Sequence, residues 1–337
     1  MGKKVLVLAV VLFAAQSFVL RAQDEVIKVT TTLVSVPVIV SDRQGRYIPG
    51  LKASDFSITS DGAKQNIDFF ASTEETINVA LLIDTSHSTQ PVIDEIRSAA
   101  NRFIKLLRPA DKAAVISFDY SVHVLSHLTS DQRQLNKAIQ SAEIPEPFGT
   151  TLRDAVFQTV SAEFAGLSGR KAIILLTDGK DVGSSISIPN LLYSLQEKDV
   201  MVYSVFFKTG PLAMTMRPGG SGRGRGMMDG NFPGNDPFLN RQRGRQQRAT
   251  MVNERAEEFL NELSDSTAGR FYESDASQFR ATFDLIVDEL RHQYRLGFYP
   301  PEEKTAGVVH DIKVKVSRPD TSVRSRSFYR TESNKQH

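Results

Sequence analysis

The chain has 337 residues, 40% of them hydrophobic and 24% charged, enough for one large globular domain and a smaller one. A formal charge of +2 excludes a strong general attraction to nucleic acid or acidic surfaces. The absence of cysteine excludes a disulfide framework and a lipidated cysteine.

The N-terminus reads as an export signal. Lys3 and Lys4 precede the apolar run Val5 to Leu20, and Ala22 offers a small residue before a cut at Gln23. Residues 1–22 are therefore expected to be a signal peptide, giving a periplasmic, cell-surface or secreted product. The apolar run is short for a spanning helix of about 20 residues. Membrane attachment is expected only if this segment stays uncleaved.

Residues 23–76 are expected to be β-rich. Val29 to Val40 is β-branched and partly alternating, Asp42-Arg43-Gln44-Gly45 signals a turn, and Asp61-Gly62 opens a second small β-segment. From Asn78 the pattern changes. Asn78 to Ile83 is a buried-strand run that ends in Asp84-Thr85-Ser86-His87-Ser88. Ile93, Ile96, Ala100, Phe103, Ile104 and Leu107 then recur at helical spacing. Ala113–Phe118 predicts a buried strand and Val122–Leu128 a short edge strand. A helix from Leu152 to Phe164 follows, then a strand over Ala172–Thr177, a helix over Ile188–Gln196 and a strand over Val200–Phe207. Such alternation predicts a mostly parallel sheet covered by helices on both faces.

Lys208 to Thr250 breaks the pattern with nine glycines, four prolines and eight basic side chains against Asp229 and Asp236. It predicts a disordered Gly/Arg-rich insertion. Only Phe232 and Phe238 interleave its arginines, so a single-strand nucleic-acid surface is not expected. Ala256, Phe259, Leu260 and Leu263 form the next helical stripe, Gly269–Tyr272 a short strand, and Ser277–Arg291 a last helix. Tyr294–Tyr299, His310–Val316 and Ser322–Tyr329 predict strands again. The C-terminal residues 294–337 are expected to pair with 23–76 in a β-sandwich, with the α/β domain 77–293 inserted between them.

The chemistry lies at the strand ends. Asp84, Ser86 and Ser88, at alternate positions, can turn three oxygens toward one point, the donor type that hard cations prefer. Phe148-Gly149-Thr150-Thr151 and Asp178-Gly179-Lys180-Asp181 supply a further hydroxyl and a further acid after two more elements. Bland readings stand beside these. Asp84 also suits a helix N-cap, Thr150 or Thr151 a cap for the next helix, and Asp178 an Asp-Gly turn. Asp119 and Asp181 read as surface acids first and as supports of the site second, and His87 as solvated.

The ordered pattern Asp84-x-Ser86-x-Ser88, Thr150, Asp178 resembles the metal-ion-dependent adhesion site of the von Willebrand factor A domain family, over about Ile77 to Gln293. Gly50-Leu51-Lys52-Ala53-Ser54-Asp55-Phe56 also resembles a stretch of the related exported acidobacterial proteins. The resemblance implies a Rossmann-like α/β domain with a central, mostly parallel sheet. It implies Asp84, Ser86, Ser88, Thr150 and Asp178 as ligands of Mg²⁺ (or Mn²⁺ or Ca²⁺), and a protein partner whose acidic side chain completes the shell. The family often has two glycines where this chain has Phe148-Gly149. An adhesion or envelope-assembly scaffold is expected rather than an enzyme, since no G-x-S-x-G, H-E-x-x-H or phosphate-loop motif occurs. The alternatives are a structural envelope protein whose basic insertion meets anionic polymers, and a metal-assisted hydrolase.

Overall fold

A computed structural model describes residues 33–72, 75–144, 149–167, 169–209, 237–301 and 307–330. The expected signal peptide and the centre of the Gly/Arg-rich insertion lie outside the described residues. The strands are β1 Val34–Asp42, β2 Phe56–Ser60, β3 Ala63–Gln65, β4 Phe69–Ala71, β5 Ile77–Asp84, β6 Lys112–Phe118, β7 Val122–Thr129, β8 Arg170–Thr177, β9 Val200–Phe206, β10 Arg270–Glu273, β11 Tyr294–Phe298, β12 Val309–Val316, β13 Thr321–Ser325 and β14 Phe328–Arg330. The helices are α1 Ile93–Leu106, α2 Gln132–Gln140, α3 Leu152–Ala162, α4 Ile188–Glu197, α5 Pro237–Ser266 and α6 Phe279–Arg291.

The central sheet runs β10-β9-β8-β5-β6-β7. Every pairing in it is parallel except β6 with β7. β5 is buried at every position, which is why it reads as an unbroken apolar run rather than an alternating one. Its side chains still divide by parity. Val79, Leu81 and Ile83 join Phe103, Ile139 and Phe283 on one face, while Ala80 and Leu82 join Val156, Leu195 and Leu260 on the other. Burial on this scale stabilises each such Leu or Ile by about 2–3 kcal/mol relative to exposure.

Two four-stranded antiparallel sheets, β13-β1-β11-β4 and β14-β12-β2-β3, flank a second core. Val36, Val38, Phe56, Ile58, Tyr294, Leu296, Phe298 and Ile312 fill it. Both sheets mix strands from the two ends of the chain, and β1 has β11 and β13 as its neighbours. Gly50, at φ +77°, turns the chain so that Leu51 N–H donates to the Tyr294 hydroxyl at 3.1 Å. That hydroxyl in turn donates to Ile48 O at 2.8 Å. Since β1 has no neighbouring strand from its own end of the chain, Gln23–Ala71 expressed alone should show no cooperative thermal transition by circular dichroism. A sharp melt of that fragment would refute the shared-core arrangement.

The expected elements differ from the structure in three places. The single strand over Ser322–Tyr329 is two strands, β13 on one sheet and β14 on the other. The chain crosses at Arg326, whose buried guanidinium donates to Gln196 O at 3.2 Å. The ordered helix after the insertion starts at Pro237 rather than beyond Thr250. Pro suits a first helical turn, and the Gln and Arg that follow are good helix formers broken only by Gly244. Finally, α2 has no counterpart in the expected elements. Asp131 caps it by accepting from Arg133 N and Gln134 N, and it buries Leu135, Ala138 and Ile139.

Candidate metal centre

β5 lies between β6 and β8, so the chain leaves it toward one side and returns to its other side. Ligands of open α/β sheets sit beyond the carboxyl ends of the strands at such a switch point. Asp84 is the last residue of β5, and Asp178 directly follows β8. Both are almost fully buried, at 0% and 1% exposure.

Asp84 is held on both oxygens. Its Oδ1 accepts from Ser86 N at 2.9 Å, and its Oδ2 accepts from the Thr177 hydroxyl at 2.6 Å. Gly179 N donates to that same Thr177 oxygen at 2.9 Å, which ties the β5 end to the turn carrying Asp178. The Ser86 and Ser88 hydroxyls lie 3.2 Å apart. Thr89 closes the loop by donating to Asp84 O at 2.9 Å and Ser86 O at 2.8 Å.

The Thr150 loop is fixed through its backbone. Thr151 N and its hydroxyl both donate to Asp119 O, at 2.7 and 3.0 Å. Val182 N and Gly183 N both donate to Thr150 O at 3.0 Å. A Cβ at Gly149 would lie 2.8 Å from the Tyr120 Cβ. This one glycine is therefore required by close packing against β6's exit. Phe148, before it, lies outside the described residues.

α1 starts nine residues after Asp84 and has no side-chain cap, so Asp84 is not its N-cap. Thr151 precedes α3 but its hydroxyl serves Asp119 O instead of capping the helix. Asp178 does carry a turn, since its Oδ1 accepts from Lys180 N at 3.3 Å. Asp119 and Asp181 are not surface acids. Asp119 is 2% exposed and contacts Thr85, Ser121 and His123. Asp181 holds Arg153 at 2.7 Å and also accepts from Ser184 N, stitching the start of α3 to the loop after β8.

Besides Thr177, two residues that sequence reasoning did not single out touch the site directly, Lys180 and Thr209. The Lys180 ammonium donates to Asp178 Oδ2 and, at 2.7 Å, to the Thr209 hydroxyl. The Thr209 hydroxyl donates to Asp178 Oδ2 at 2.6 Å. Lys180 carried a signal, being two residues from the acid. Thr209 carried none, because it follows β9 and only the fold brings it near.

Burial, and then the neighbouring Asp178 carboxylate, push the Asp84 carboxyl up to about 7. The Asp178 charge thus adds to the cost of ionising Asp84, and a cation between them would relieve it. Among the described residues, no group of three or more His, Cys, Asp or Glu gathers anywhere. The donor set here is instead two carboxylates with hydroxyls. All donors are oxygen, which fits a hard divalent ion and does not favour a thiolate- or imidazole-seeking one.

Residues 79–180 match the family model of the von Willebrand factor type A domain. This segment belongs to that family. The matched span of the A domain contains Asp84, Ser86, Ser88, Thr150 and Asp178. No curated protein matches the chain significantly. Among solved structures, the chain is similar to proximal thread matrix protein 1 from the mussel byssus (13% identity, TM-score 0.46), over 64% of this chain and 49% of that one. The chain thus spans about half the length of the mussel protein. A further structure of that protein has a zinc-occupied MIDAS motif. Similarity extends to BatB from Bacteroides thetaiotaomicron (18% identity, TM-score 0.45), over 64% of this chain and 97% of that one. It extends also to the vWF domain of the type V pili tip protein Mfa5 from Porphyromonas gingivalis (12% identity, TM-score 0.44), over 63% and 94%.

Proposed function

We propose that this protein binds a divalent cation, Mg²⁺ or in its place Mn²⁺ or Ca²⁺, and through it a protein partner. Asp84, Ser86, Ser88, Thr150 and Asp178 would hold the ion. The observation that carries this reading is the burial of Asp84 and Asp178 side by side at the switch point, beside the paired Ser86 and Ser88 hydroxyls. With few charged ligands, a bound ion would keep electrophilic character for a carboxylate offered by the partner. The chain's own part is to hold the oxygens: Thr177 orients Asp84, Thr89 closes the serine loop, and Val182 and Gly183 fix the Thr150 backbone.

The reading is of a binding module, not an enzyme, serving adhesion or envelope assembly. Lys3, Lys4 and the apolar Val5–Leu20 run support export. Among the described residues no helix is long and apolar enough to cross a membrane. Extracellular cation modules bind at about 10⁻⁴–10⁻³ M, so millimolar titrant is needed.

The test is calorimetric titration of the full chain with Mg²⁺, Mn²⁺ and Ca²⁺, beside Asp84→Ala, followed by a pull-down from envelope extract with Mg²⁺ or chelator. Ion uptake by wild type alone, with partners retained only when ion is present, is expected. No uptake of any of the three ions by wild type would reject the reading.

A further inference from the structure

The Lys180 side chain occupies a place in the site that the ligand pattern does not explain. Its ammonium sits on Asp178 Oδ2, the oxygen that also accepts from the Thr209 hydroxyl at 2.6 Å. A third bond, Lys180 to Thr209 at 2.7 Å, closes the ring. Asp178 Oδ1 is occupied as well, by Lys180 N at 3.3 Å. Both oxygens of this buried acid are therefore engaged by its own turn.

That turn is rigid. Gly179 has φ +74°, and a Cβ there would lie 2.6 Å from the Ala256 Cβ of α5. The turn is pressed under the helix and aims Lys180 back at Asp178. The lysine side chain is 32% exposed, so its ammonium can swing outward into water without breaking the core. A lysine is a compact point charge on a flexible stem, suited to such exchange.

We propose that Lys180 is a resident counterion of the A domain, which a divalent cation must displace from Asp178 in order to bind. Lys180 thereby sets the ion affinity and keeps the site closed at low cation concentration. This rests on the ion-binding reading above. A cation entering beside Asp84 meets a like charge on Asp178, and the two cannot share Oδ2 at close range.

The test compares the full-length wild type with Lys180→Met and Lys180→Gln, by calorimetric titration with Mg²⁺ and Mn²⁺ and by thermal melting with and without Mg²⁺. Both variants should bind at least tenfold more tightly than wild type. Their ion-free forms should melt lower, and Mg²⁺ should raise their melting temperatures by more. Gln keeps a hydrogen-bond donor without charge, so tightening in both variants assigns the effect to charge. An unchanged or weaker dissociation constant in both variants would overturn the proposal, as would melting temperatures lowered equally with and without ion, the mark of a mere tether. Ion uptake by none of the three proteins would instead overturn the ion-binding reading, and the proposal with it.

Discussion

Asp84→Asn should abolish the thermal response to Mg²⁺ and yet, above pH 7, melt higher than the ion-free wild type. The two effects share one cause. Asp84 is fully buried beside Asp178, and its carboxyl is pushed up to about 7 from the ordinary 3.8. Below pH 4 the group is neutral in both folded and unfolded chains, so no penalty arises. As pH rises toward 7 the unfolded chain ionises first, and the ion-free fold loses stability. Above pH 7 that loss is complete, on the order of 4 kcal/mol. Asparagine removes the charge and keeps an oxygen for Ser86 N, so about 1–3 kcal/mol should be recovered at pH 8 and little at pH 4.5. In wild type a bound ion would compete with that proton, so its affinity should fall roughly tenfold for each pH unit below 7. Melting curves and titrations from pH 4.5 to 8 check both statements. A variant that melts lower than wild type at pH 8, or an affinity flat between pH 5 and 7, would contradict them.

Gly269→Ala should destabilise the whole α/β unit by more than about 3 kcal/mol, measured by urea unfolding. Gly269 follows Ala268, which takes φ +61° to end α5, and Gly269 N donates to Ser264 O at 2.9 Å. The chain then enters β10 against β9, with Arg270 opposite Tyr203. A Cβ on Gly269 would lie 1.8 Å from Val202 O and 2.6 Å from its carbonyl carbon. Those are backbone atoms of a strand buried at every position, which cannot yield as a side chain can. Either β10 leaves the sheet or α5 shifts with Ala256, Leu260 and Leu263 out of their core. A loss below 1 kcal/mol would show that the close approach is not binding on the fold. The opposite change one residue earlier, Ala268→Gly, relieves a positive φ and should be neutral or stabilising by up to about 1 kcal/mol.

The central strands were legible because burial on both faces leaves an unmistakable apolar run, as in Ile77–Ile83 and Ala172–Leu176. The candidate donor pattern stood out because Asp84, Ser86 and Ser88 sit at fixed spacing after such a run. Thr177 was not, since its role depends on which strand lies next to β5, and pairing order is not written in either strand alone. Thr209 is hidden for the same reason, and Asp119 read first as a surface acid because its burial depends on the same strand order. The split between β13 and β14 escaped because Arg326 reads as an exposed basic residue, whereas its stem and guanidinium are buried against Gln196. α2 escaped for lack of length: nine residues give little more than two turns of periodicity. The early start of α5 was masked by composition, because arginine and glycine upstream made the segment look uniform.

The interleaving of first and last strands also dictates a schedule for synthesis. Leu51 and Tyr294, joined by a hydrogen bond, are 243 residues apart. At about 5–20 residues per second, β1 waits roughly 12–50 s after emerging before its partner strands β11 and β13 exist. During that interval Val36 and Val38 have no partner strand, and Phe56 and Ile58, with only the short β3 beside them, stay uncovered and prone to aggregate. The α/β unit can complete itself meanwhile, because its sheet closes once β10 is made. The nascent protein is thus a finished body trailing a sticky leader, and its yield should depend on a chaperone that grips the front of the chain until the tail arrives.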